Sequence, residues 1–180
     1  MTETNTNLTV TKLDAARRQL ETAVRLYFSY GDPISIHTLS AAAYNVIRDI
    51  NKKLSGKMML KDMWQLLDTE DAAVFRRTSN EAENFLKHAD RAPDASLDLD
   101  LRWAEVFLLE GSIRYFQITA EQPPLMQLFV LWFSIQHPNI FRRIPGFDEV
   151  FRKVDLASLP SDRREYFATF LPLAMQAFGA

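Results

Sequence analysis

No cysteine occurs among the 180 residues, which excludes disulfides, thiolate zinc sites and a cysteine nucleophile. Glycine is scarce, with five in all, and tight hairpins need residues at positive φ. Val and Ile together number 17, against 41 for Leu and Ala. That imbalance favours helix over pleated sheet. Charge of one sign is also missing: the formal net charge is -2, so nothing draws the chain generally to nucleic acid or an anionic membrane. Long apolar runs are absent too. The most apolar stretch, Leu125 to Ile135, already contains Gln127 and Ser134 and falls short of the roughly 20 residues a bilayer requires. Met1 to Leu8 is polar and lacks the basic-then-apolar order of a signal peptide. A soluble, cytoplasmic protein with no membrane partner is expected.

What is present is ordinary globular material, 47% apolar and 24% charged. The chain reads as all-α: a polar, disordered tail over 1–8, then one domain over 9–180 built as a bundle of six to eight helices. Apolar residues at three-to-four spacing (Leu13, Leu20, Val24, Tyr27) predict a first helix from about Val10 to Tyr30, stopped at Gly31. A second helix over about 35–54 turns Leu39, Ala43, Val46, Ile47 and Ile50 inward. A short one over 60–67 carries Met63, Trp64 and Leu67. The next, over about 69–88, is capped at Thr69 and has Val74, Phe75, Ala82, Phe85 and Leu86 as its apolar positions. A helix over about 101–118 contains Gly111 in its interior, which costs about 1 kcal/mol relative to Ala and predicts a neighbour packed closely against it. Pro123-Pro124 opens a helix over 124–137 that is apolar nearly all round, so it belongs at the centre of the bundle. A short helix over 147–154 and a last one after Ser161, bent at Pro172, complete the reading.

The densest polar cluster lies at the end of the 69–88 helix. Arg77, Glu81, Asn84 and His88 are offset by 0, 4, 7 and 11 residues and form one stripe. Lys87 and Asp90 flank it, and Asp90 is placed to fix an imidazole tautomer. His37, in the first turn of the second helix, and Arg48, eleven residues on, would join this stripe if the two helices pack together. Two histidines and an arginine would then form an anion-binding corner. The competing reading is a solvated helix face ended by a C-terminal His, with His37 packed in the interior. His137 reads as the last residue of its helix.

Asp94 to Glu105 places oxygen-bearing residues at positions 1, 3, 5 and 12 of a calcium-loop pattern, but Leu99 stands where that turn demands glycine. Phosphate-binding glycine loops, dinucleotide fingerprints and His-Glu-x-x-His motifs are also missing. Neither cofactor nor metal is expected. Arg142-Arg143 and Arg163-Arg164 are short basic pairs beside aromatics, able to meet an acidic partner.

The runs Lys12 to Leu20, Asp32 to Leu39 and Asn84-Phe85-Leu86-Lys87-His88-Ala89-Asp90 resemble a family of uncharacterised small bacterial all-α proteins, over about the first two-thirds of the chain. A helix-terminal His in a small α-bundle is also remotely similar to the HEPN superfamily, which implies a metal-independent ribonuclease or toxin acting through His88. That motif sets an Arg ahead of the His with four to six residues between them. Those positions here hold Glu81, Ala82 and Glu83. The preferred expectation is therefore a non-catalytic helical binding protein that recognises a protein partner or a small anionic ligand through the polar stripe. Nucleic acid enters only under the ribonuclease alternative. With 13 Phe, 5 Tyr and 3 Trp, self-association as a homodimer is compatible with the composition.

Overall fold

The computed structural model describes residues 7–88, 92–141, 155 and 158–179, and these are helical with no strand among them. Helix α1 (Lys12–Phe28) starts where the Thr11 hydroxyl accepts from the Asp14 N–H. Helix α2 (Pro33–Lys53) starts where the Asp32 carboxylate accepts from the Ser35 N–H, with proline tolerated in the first turn. A 3₁₀ helix (Leu60–Leu66) leads into α3 (Thr69–Lys87), capped by Asp68 rather than by Thr69. Helices α4 (Arg102–Thr119), α5 (Pro124–Gln136), the short α6 (Pro138–Phe141) and α7 (Arg163–Phe178) follow. Helix α7 runs on through Pro172. The helix expected over 147–154 and the tail over 1–6 lie outside the described residues.

The core is built as the apolar pattern dictates. Leu125, Met126, Leu128, Phe129, Trp132 and Phe133 of α5 are all buried, so this helix occupies the interior of the bundle. It packs against α1, α4 and α7. Phe28 of α1 meets Phe129 and Trp132 edge-on and stacks on Phe167 of α7. Full burial of one such side chain contributes about 1.5–3 kcal/mol. On the other side α2 lies against both α1 and α4. Gly111 faces Leu20 and Ile47: a Cβ there would stand 3.3 Å from Leu20 Cδ2 and 4.0 Å from Ile47 Cδ1. The expected close neighbour is therefore present, supplied by side-chain ends of α1 and α2 rather than by a backbone.

The 3₁₀ helix and α3 reverse the expected polarity. Met63 and Leu67 are exposed, and the buried residues are Lys61 and Asp62. On α3, Val74 and Phe85 are exposed while Ser79 and Glu83 face the bundle. This helix meets α2 over only a small area and leans mainly on the 3₁₀ segment.

Candidate functional site

The polar residues of α2 hold the 3₁₀ helix in place. Tyr44 donates to the Glu110 carboxylate at 2.8 Å and accepts from the Lys61 N–H at 3.1 Å. Glu110 also accepts from the Leu60 N–H. Burial, with the Glu110 charge adding to it, pushes the Tyr44 phenol far above its usual value. One turn along α2, Arg48 clasps Asp62 with its fork, Nε at 2.9 Å, and Lys52 reaches the same carboxylate at 2.7 Å. Burial would raise the Asp62 pKa, but Arg48 and Lys52 outweigh it and hold it below the ordinary range. Arg48 is thus engaged by Asp62.

Lys61 then carries the chain into the interior. Its side chain is 1% exposed and its ammonium pairs with Glu83 of α3. Asn80 accepts from the same ammonium at 3.2 Å, and Phe107 presents a ring face 4.8 Å away. Glu83 accepts in turn from Asn45 of α2 at 2.5 Å and from Lys87 at 3.3 Å. Burial raises the Glu83 pKa, yet its bond and charge contact with Lys61 prevail and keep it below the usual carboxylate value. His37 is buried beside the Phe107 ring, 5.7 Å between centroids, and neither ring nitrogen has a partner among the described residues. Burial therefore lowers its pKa; Glu83 opposes that shift, while Lys61 and Lys87 add to it.

The anticipated corner of His37, Arg48, Asn84 and His88 is not assembled. His37 and Arg48 are separated by about 16 Å of helix rise and engage different neighbours. At 100° per residue the stripe of Arg77, Glu81, Asn84 and His88 falls close to the opposite side of α3 from Ser79 and Glu83. Arg77, Glu81, Asn84 and Lys87 are accordingly exposed and His88 is half-buried. Asp90, and with it the predicted tautomer-fixing bond, lies outside the described residues, as do Arg142 and Arg143. His88 caps α3, its N–H donating to the Asn84 carbonyl at 3.1 Å. His137 ends α5, its N–H on the Phe133 carbonyl at 3.0 Å. Across the calcium-like segment, Asp100 is taken by Arg102 and Glu105 by Tyr27. No cluster of potential metal ligands occurs among the described residues.

Outward, the α3 stripe borders two concavities that share Asn84. One, of about 430 Å³, is polar and lined by Arg76, Arg77, Asn80 and Asn84. The Arg76 guanidinium lies 4.7 Å above the Trp64 ring, which orients it. The other, of about 400 Å³, is apolar and lined by Phe85, Leu86, His88 and Pro93 among others. The sequence contains the signal for the stripe itself, in its helical spacing. It contains none for Lys61, because the charge that balances Lys61 stands 22 residues away on another helix. Among the described residues no helix is long and apolar enough to cross a membrane. No family model, curated protein or solved structure matches this chain.

Proposed function

We propose that this is a non-catalytic helical binding protein that uses the outer face of α3 to recognise a protein segment carrying an acidic residue next to an apolar one. The observation that carries this reading is the pair of adjoining concavities at Asn84, one walled by two arginine guanidinia and the other by Phe85, Leu86 and Pro93. An arginine fork suits a carboxylate or phosphate, and the neighbouring apolar hollow suits a side chain a few residues along the same segment. Helix α3 is fixed from behind by Lys61 and Glu83, which leaves the exposed Arg77 of the outer face available to a partner, while Asn80 and Arg76 also meet Lys61 and Trp64.

Peptide display against the full chain tests this. Selection should enrich segments with Asp or Glu close to Leu, Ile or Phe. Arg77→Glu and His88→Ala should abolish their binding while changing stability by less than about 1 kcal/mol, as at surface positions. Selected peptides that ignore both substitutions would refute the assignment. The HEPN-like alternative demands a different result: RNA cleavage that survives chelation and disappears in His88→Ala. No arginine lines the cavity beside His88 among the described residues.

A further inference from the structure

At one corner of the bundle α1 ends, α2 and α4 begin, and α7 enters. The described residues there enclose a cavity of about 240 Å³. It is smaller than the roughly 300–1,000 Å³ of sites for drug-sized ligands, so its occupant is a small molecule. Two tyrosines form one wall. The Arg163 guanidinium lies 4.3 Å from the Tyr27 ring centre and 4.0 Å from that of Tyr30. Stacking fixes the plane of a guanidinium and leaves its N–H edge free for a planar anion. No carboxylate pairs with Arg163 among the described residues, and its buried Nε–H has no acceptor. The guanidinium is thus oriented by the two rings and by a hydrogen-bond contact with the Tyr27 hydroxyl, through which it neighbours Glu105.

The same cavity contains one acid. Glu105 accepts the Tyr27 hydroxyl at 3.0 Å, and a carboxylate has further lone pairs to offer. Its charge disfavours a simple anion, and that of Arg163 disfavours a simple cation. A molecule carrying both charges satisfies both. The remaining walls, Ile36 and Ala104 among them, are apolar. Tyr30 adopts φ 57° as the left-handed residue that ends α1, with the Gly31 N–H on the Leu26 carbonyl. Its ring is held over Arg163 by a 2.5 Å bond from its hydroxyl to Asp162.

We propose that this cavity binds a small aliphatic amino acid, with the carboxylate on Arg163, the ammonium on Glu105 and the side chain against Ile36 and Ala104. The site is independent of the α3 face. Calorimetric titration of the full chain with L-leucine tests it, alongside isovalerate, which has the carboxylate alone, and isopentylamine, which has the amine alone. Leucine should bind at least tenfold more tightly than either. Arg163→Gln and Glu105→Gln should each weaken leucine at least tenfold, with circular dichroism melting used to verify that both variants fold. If Arg163→Gln unfolds, Arg163→Lys serves instead, because it keeps the charge and loses the stacked fork. The absence of leucine binding, equal binding of isovalerate, or leucine binding unmoved by the folded variants would each overturn the proposal.

Discussion

Helices α1, α2, α4 and α5 meet through side chains such as Leu20, Ile47, Phe107 and Phe129, all withdrawn from water. The arm made of the 3₁₀ helix and α3 is joined to them mainly through Lys61, Asp62 and Glu83, with Phe75 meeting Trp103 edge-on, while Met63, Leu66, Val74 and Phe85 remain on its outside. One region is cohesive because apolar area is removed from solvent, a term that is non-directional and tolerant of small shifts. The other is positioned by a few charged groups whose geometry must be met, and a buried pair adds little net stability when complete but costs much when broken. The bundle therefore supplies stability, and the arm supplies a defined position for the face that α3 turns outward.

Breaking the bundle should have the largest effect. Phe129→Ala empties a fully buried site and should cost about 3–5 kcal/mol, seen as a lower midpoint in urea unfolding with an unchanged slope. A loss inside measurement error would mean that α5 is peripheral. Glu83→Gln attacks the arm. Removing one partner of a buried pair costs about 3–5 kcal/mol, but release of α3 limits the loss to whatever holds the arm. Hydrogen exchange in α3 should accelerate strongly while α5 amides stay protected. Uniform acceleration throughout would show that arm and bundle open as one unit. Replacing both partners, Lys61→Met with Glu83→Leu, should restore stability to at least near that of the wild type.

Acid sharpens the contrast further. His37 has a folded pKa below its unfolded value of about 6.5, because burial favours the neutral ring. The unfolded chain then binds the extra proton, so stability declines as pH falls below about 6.5. Asp62 and Glu83 have lowered folded values, so their contribution is complete above about 4.3 and disappears only below that. His37→Phe should remove most of the stability loss between about pH 6.5 and 4.5 and leave the steeper acid loss in place. A slope unchanged in that variant would assign the proton to another group. The smallest effect is expected at Gly111→Ala. About 1 kcal/mol of helix propensity is gained, and Leu20 must yield by a few tenths of an ångström. The net change in a melting experiment should stay below about 1 kcal/mol.

The central helix is legible in the sequence because Leu125 to Phe133 is apolar on every side, and only an interior position suits such a helix. The caps at Thr11 and Asp32 are equally local, being hydrogen bonds to residues three further along. The arm is not local. Apolar spacing on α3 turns Val74 and Phe85 inward, yet the surface they would face is occupied by Lys61, brought there by a 3₁₀ segment with a different residue period. The charge on that surface selects Glu83 instead. His37 and Arg48 read in the sequence as part of a corner shared with the α3 stripe, but their neighbours come from α4 and the 3₁₀ helix, and spacing along α2 says nothing about them. The Arg163 cavity draws on four helix termini. Only the basic pair Arg163-Arg164 beside an aromatic marked it in advance.

The burial of Lys61 has a chemical consequence. Amine acylation requires the nucleophile to reach a reagent, and the side chains of Lys52 and Lys87 are 47% exposed while that of Lys61 is 1% exposed. In the closed protein those two lysines acylate freely and Lys61 does not. Each modified Lys61 therefore records one opening of the pocket around it, so with reagent in enough excess to outpace reclosing the acylation rate of this single residue is a clock for that opening.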